Sequence, residues 1–127
     1  MASPKALILV IDDEEIVREL TQSILQFFGY ASLVAENGEN GVALFDSHKD
    51  EIDAVLCDMV MPSLNGEEVF RAIRAISPNA QVLLSSGLED PELIDRLESQ
   101  GLAGFLIKPY KPTQLIEKLK TLLAKPS

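Results

Sequence analysis

The 127-residue sequence holds one cysteine and one histidine, and its 11 basic side chains are outnumbered by 20 acidic ones. Each scarcity removes a class of explanation. A single cysteine leaves no partner for an internal disulfide, and the place of Cys57 in an apolar run marks it as a buried, reduced thiol, the expectation for a cytoplasmic protein. The lone His48 falls at the end of a helix-like segment and reads as a solvated residue rather than a ligand or phosphorylation site. A formal net charge of −9 argues against a domain that grips nucleic acid, because such binding needs clustered Lys and Arg on phosphates. It suits a cation site, or simply a soluble acidic surface. No membrane contact is expected, since the longest apolar run, Ala6 to Ile11, is far below the ~18 residues of a span. The N-terminus also lacks the pattern of a signal peptide.

What is present is a globular composition, 46% hydrophobic, in a length that suits one domain over residues 1–127, able to bury roughly two-thirds of its unfolded surface. Apolar runs alternate with segments at helical period. Ala6 to Ile11, Ala31 to Ala35, Asp53 to Asp58, Gln81 to Ser85 and Ala103 to Ile107 read as strands. Between them, Ile16, Leu20, Ile24, Phe27 and Phe28 mark one face of a first helix that Gly29 should stop. A second helix spans about Glu39 to His48 with Val42, Leu44 and Phe45, and a third spans Glu67 to Ile76 with Val69, Phe70, Ile73 and Ile76 inward. Asp90 caps the fourth, with Pro91 in its first turn, Leu93, Ile94 and Leu97 buried and Gly101 as terminator. Pro112 opens the fifth, whose Leu115, Ile116, Leu119, Leu122 and Leu123 form one stripe. This βα alternation implies an α/β fold: a doubly wound, five-stranded parallel sheet with five helices on its two faces.

The polar residues gather at one edge of that scaffold. Asp12 and Asp13 follow the first strand, Asp58 ends the third, Ser85 and Ser86 end the fourth, and Lys108 follows the fifth. An acid at the end of a strand buried on both faces emerges at the carboxyl edge, where open α/β folds bind ligands. Each residue alone has an ordinary explanation: Asp12 and Asp13 could cap the first helix, Ser86 could be a turn residue, and Lys108 could lie free on the surface. Their convergence at four strand ends favours a site. Three acids within a few Å repel by several kcal/mol even at an effective dielectric near 20, which calls for a hard divalent cation, Mg²⁺ being the natural choice. The fitting chemistry is phosphoryl transfer to a carboxylate. Asp58 is the candidate nucleophile, Mg²⁺ and the Lys108 ammonium neutralise the transferring group, and Ser86 hydrogen-bonds one of its oxygens. An ionised carboxylate needs no general base, so a site without histidine can work.

At these residues the sequence resembles the receiver domain of two-component response regulators, of the chemotaxis-receiver kind, over nearly the whole chain. The resemblance is carried by Ile11-Asp12-Asp13-Glu14, by Asp58-Met59-Val60-Met61-Pro62 with Gly66 downstream, by Leu84-Ser85-Ser86-Gly87 and by Phe105-Leu106-Ile107-Lys108-Pro109. It implies a flavodoxin-like sheet of order 2-1-3-4-5 and Asp58 as phosphoacceptor. Asp12, Asp13, Asp58 and the Val60 carbonyl would serve Mg²⁺, and Ser86 with Phe105 would form a switch pair. The family pattern also places a cis peptide at Lys108-Pro109, aiming the lysine at the site; only an X-Pro bond makes cis accessible at about 0.5–1 kcal/mol. The implied partners are a histidine kinase or histidine phosphotransfer domain, and a downstream protein, or the rest of a longer chain, reached through the surface of the fourth helix, fifth strand and fifth helix. As an aromatic on a core strand, Phe105 also has a purely packing explanation.

Other classes fit less well. An aspartyl phosphatase of the haloacid dehalogenase kind would place a second Asp two residues after the nucleophile, where this chain has Val60. A flavodoxin-like FMN binder needs a hydroxyl- and glycine-rich phosphate loop after the first strand, and Asp12-Asp13-Glu14-Glu15 would repel the phosphate. A histidine kinase needs its own phosphoacceptor histidine and an ATP-binding domain. The chain is thus expected to be a single-domain regulator or a receiver cut from a longer protein such as a hybrid histidine kinase, which Ser85-Ser86-Gly87 resembles. Val60 and Leu88, at positions that flank the path of hydrolytic water in receivers, are apolar here, implying slow self-dephosphorylation.

Overall fold

The structure, a computed structural model, describes residues 6–124; the expectation about a signal peptide concerns a segment whose first residues lie outside that range. Five strands, β1 (Leu7–Ile11), β2 (Ala31–Ala35), β3 (Ala54–Asp58), β4 (Val82–Ser86) and β5 (Gly104–Ile107), alternate with five helices. These are α1 (Glu15–Phe27), α2 (Gly38–Ser47), α3 (Gly66–Ile76), α4 (Pro91–Ser99) and α5 (Pro112–Leu123). The sheet has the order β2-β1-β3-β4-β5, and every neighbouring pair is parallel.

Strand periodicity divides the core into two layers. Leu9, Ile11, Val55, Cys57, Val82, Leu84 and Phe105 face α2, α3 and α4, meeting Phe45, Val69, Phe70, Ile73 and Leu97. Ile8, Val10, Ala54, Leu56, Leu83 and Leu106 face the other way, onto Leu25 of α1 and Leu115, Ile116, Leu119 and Leu122 of α5. Local chemistry sets the helix ends. Asn65 and Glu68 form a reciprocal capping box at α3, each bond 2.9 Å long, and the Asp90 carboxylate accepts from Leu93 N at 3.2 Å, as expected of a cap. Gly29 and Gly101 follow α1 and α4 at φ of +91° and +105°, the left-handed backbone that ends a helix and that glycine adopts without penalty.

Two expectations need correction. β4 covers Val82–Ser86 rather than Gln81 to Ser85, a shift of one residue that leaves Ser86 as the last residue of the strand. The reason is the ladder: Ser86 pairs with Ile107, and its carbonyl accepts from Lys108 N at 2.8 Å. In α1, the stripe of Ile16, Leu20 and Phe27 faces solvent, at 79%, 61% and 83% exposure. The helix instead buries Thr21 and Leu25, with Ile24 and Phe28 partly covered. Six of its thirteen residues are apolar, more than one face accommodates, and Thr21 instead turns inward to meet the half-buried Tyr110. Among the described residues, no helix is long and apolar enough to cross a membrane.

Candidate functional site

The parallel ladder delivers the polar residues to the carboxyl edge and continues past the strand ends to seat their loops. Asp12 follows β1 and donates its backbone N–H to the Ala35 carbonyl at 3.2 Å. Asp58, the last residue of β3, lies opposite Ser85 of β4, and Met59 N donates to the Ser85 carbonyl at 2.8 Å. The loop after Asp58 folds back so closely that Gly66 N reaches the Met59 carbonyl at 2.9 Å. A Cβ at Gly66 would lie 2.7 Å from Met59 Cα and 2.8 Å from the Asp58 carbonyl oxygen. Only glycine admits that approach. The Lys108–Pro109 peptide bond that follows β5 is cis.

At the centre, the Lys108 ammonium donates to Asp58 Oδ1 at 3.1 Å and lies 3.6 Å from Asp12 Oδ2. Carboxylate oxygens of Asp12, Asp13 and Asp58 all fall within 4.8 Å of one another. Asp12 and Asp58 are buried, Asp13 is exposed. Burial raises the Asp58 pKa above the ordinary aspartate value, with the neighbouring Asp12 and Asp13 charges acting in the same direction and Lys108 acting against them. Desolvation disfavours the ammonium of Lys108, but its bond to Asp58 and the charges of Asp58 and Asp12 outweigh this and raise its pKa. The Lys108 ammonium is therefore held in its charged form by its carboxylate partners, whereas burial and the neighbouring acids make ionisation of Asp58 costly. Asp12 Oδ1 accepts from Glu14 N at 2.9 Å, and the buried Ser86 Oγ accepts from Leu88 N at 3.1 Å. Burial also pushes the Cys57 thiol well above its usual range, consistent with an inert core thiol.

Of the residues singled out in the sequence, Asp12, Asp13, Asp58 and Lys108 meet in one cluster. Ser86 stands at the adjacent strand end with its hydroxyl held by the following turn. Phe105 is buried in the layer facing α2, α3 and α4, paired across the ladder with Leu84. Val60 is 67% exposed and Leu88 74% exposed, on the loops that follow β3 and β4. Lone His48 lies on the surface, 3.3 Å from Glu51. Sequence reasoning missed Arg18, whose Nη1 donates to the Asp12 carbonyl at 2.9 Å, and Tyr110, which meets Thr21 of α1 and interacts with the Lys108 charge. Arg18 leaves no pattern signal, because its acceptor is a backbone atom. The Tyr110 link could be sought only once α1 was known to lie against the β5–α5 loop.

A parallel sheet that collects carboxylates and one ammonium at its carboxyl edge defines a class of phosphate-handling, cation-assisted sites. Residues 8–120 match the response regulator receiver domain family. The fold matches a receiver domain protein from Clostridium thermocellum with a TM-score of 0.89, at 30% identity, over 93% of this chain and 94% of that one. Chemotaxis protein CheY of Thermotoga maritima is 28% identical over 113 residues, 88% of this chain and 92% of that protein. Sensor kinase CckA of Brucella abortus is 30% identical over 123 residues, 97% of this chain but 13% of the kinase. The chain spans less than half the length of several of the curated relatives it matches. It belongs to the response regulator receiver domain family and is a receiver of two-component phosphorelay signalling. Nothing favours the aspartyl phosphatase or FMN-binding alternatives. Receiver domains are phosphoacceptors rather than conventional enzymes, bind Mg²⁺ at an acidic pocket, and act with histidine kinases and downstream proteins.

Proposed function

We propose that Asp58 is the residue through which this chain, as one receiver domain, accepts a phosphoryl group from a histidine kinase or histidine phosphotransfer domain. The observation that carries this is the Lys108 ammonium, 3.1 Å from Asp58 and 3.6 Å from Asp12 inside a cluster of three acids. It orients one Asp58 oxygen and leaves the other for attack. That oxygen forms the new P–O bond as the P–N bond of the donor phosphohistidine breaks; the imidazole leaves with the electron pair and takes its proton from solvent. Lys108 neutralises charge on the transferring oxygens. Ser86, released from Leu88 N, donates its hydroxyl to one of them, and Phe105 repacks in response, altering the surface of α4, β5 and α5 that meets the downstream partner.

The donor set suits a hard cation: Asp12, Asp13, Asp58 and the Val60 carbonyl offer only oxygens. The 4.8 Å spread of the carboxylates fits an ion that keeps several waters, as Mg²⁺ does, better than a closed protein cage. When bound, Mg²⁺ supplies charge neutralisation at the transferring group. Self-dephosphorylation then returns the domain to its resting form, slowed by the apolar Val60 and Leu88. A cytoplasmic setting, without direct contact to nucleic acid or membrane, fits the net charge of −9. The similarity to a sensor kinase supports a place in a hybrid kinase as readily as a stand-alone regulator. Incubation with acetyl phosphate tests the reading. Hydroxylamine-labile phosphoprotein should form with Mg²⁺ and not with a chelator; equal labelling in both, or hydroxylamine-stable label, would overturn it.

A further inference from the structure

Arg18 lies on α1 four residues after Glu14 and three after Glu15. On a solvated helix, an acid four residues ahead of a base is the favoured arrangement for an ion pair. Yet the ion pairs among the described residues do not include Arg18. Its guanidinium turns back instead to a neutral acceptor, the Asp12 backbone carbonyl, at 2.9 Å. The other polar groups of Asp12 are already held: its N–H by Ala35, its carboxylate by Glu14 N and by Lys108. Arg18 fixes what remains. A peptide unit is planar, so anchoring the Asp12 carbonyl anchors the plane that leads into Asp13. Asp13 is exposed, and Glu14, the N-cap of α1, makes no side-chain capping bond that would stiffen this turn.

We infer that Arg18 is a positioning residue for the cation site, holding the 12–13 peptide so that the Asp13 carboxylate stays beside those of Asp12 and Asp58. This rests on the reading of the three acids as a Mg²⁺ site. Electrostatics and positioning predict opposite signs here. Removing a positive charge beside an acid cluster strengthens cation binding if charge is all that matters; loosening the loop weakens it.

The test is a Mg²⁺ titration followed by backbone amide shifts of residues 12, 13 and 58, on wild type, Arg18→Met and Arg18→Lys. Arg18→Met keeps the apolar stem and removes both charge and donor. Its Mg²⁺ dissociation constant should rise about three- to tenfold, on the order of the worth of one such hydrogen bond, while the thermal midpoint in chelator falls by no more than about 5 °C. Arg18→Lys should fall between the two. Unchanged or tighter binding by Arg18→Met would overturn this inference alone, while wild type that binds no Mg²⁺ would overturn the cation reading with it. Should Arg18→Met not fold, Arg18→Gln, whose amide cannot reach the carbonyl, is expected to weaken binding equally, and wild-type binding by it would refute the role.

Discussion

Replacing Asp58 by Asn should make the protein more stable at neutral pH in the absence of divalent cations, even though it deletes the proposed reactive group. The Asp58 carboxylate is buried, and its pKa is raised above the unfolded value of 3.8, led by desolvation and reinforced by Asp12 and Asp13 against the opposing bond from Lys108. A folded-state pKa above the unfolded one means that the native state holds its proton more tightly. Stability from this group is thus full below pH 3.8 and is lost as pH rises through the folded value. Ionised at pH 7, the carboxylate is a net cost to folding. Carboxylate oxygens within 4.8 Å of one another repel by at least about 3 kcal/mol per pair at an effective dielectric near 20. Lys108 returns much of that, and solvent screens the exposed Asp13, leaving a relief on the order of 1 kcal/mol. For a chain of this length that is a rise in thermal midpoint of about 3–6 °C. Thermal melts of wild type and Asp58→Asn with chelator, from pH 7 downwards, measure it. The gap should narrow as pH falls toward the ordinary carboxylate range, and added Mg²⁺ should stabilise wild type more than the variant. An Asn variant equal to or less stable than wild type at pH 7 would refute this account of the site's electrostatics.

Val60→Asn combined with Leu88→Glu should speed phosphate release from the purified phosphoprotein, because polar side chains beside the site can orient water that the exposed Val60 and Leu88 cannot; a double mutant no faster than wild type would defeat the idea. Ser86→Ala should still accept phosphate but lose the link to Phe105, so beryllofluoride spectra of the variant and wild type should differ at Phe105 and α5, and identical shifts there would remove Ser86 from the switch. Gly66→Ala sets a Cβ 2.7 Å from Met59 Cα, against backbone that cannot yield cheaply, and should lower stability by about 1–3 kcal/mol in urea unfolding. Wild-type stability would show that the loop beneath Asp58 relaxes freely.

Most of this arrangement was legible because it depends on short-range pattern. A strand buried on both faces announces itself as a continuous apolar run, and Val55-Leu56-Cys57 ending in Asp58 could hardly be anything else. Once β1, β3, β4 and β5 were adjacent, Asp12, Asp58, Ser86 and Lys108 had to share an edge, though Lys108 and Asp58 are 50 residues apart. The orientation of α1 was not legible in the same way. With Ile16, Val17, Leu20, Ile24, Leu25 and Phe27 all apolar, periodicity allows more than one buried face, and the choice falls to tertiary contacts such as Thr21 with Tyr110. The end of β4 was likewise set by its partner strand, not by its own residues. Arg18 was invisible for a different reason: a side chain that bonds a backbone carbonyl imposes no requirement on the identity of the residue it touches.

The central claim is that Asp58 is the phosphoacceptor. Intact-mass analysis after exposure to a phosphohistidine donor and Mg²⁺, followed by peptide mapping, tests it most directly. The account predicts one added phosphoryl group on wild type, carried by the peptide containing Asp58, and none on Asp58→Asn. Equal phosphorylation of both proteins, or a phosphoryl group mapped to another residue, would contradict it.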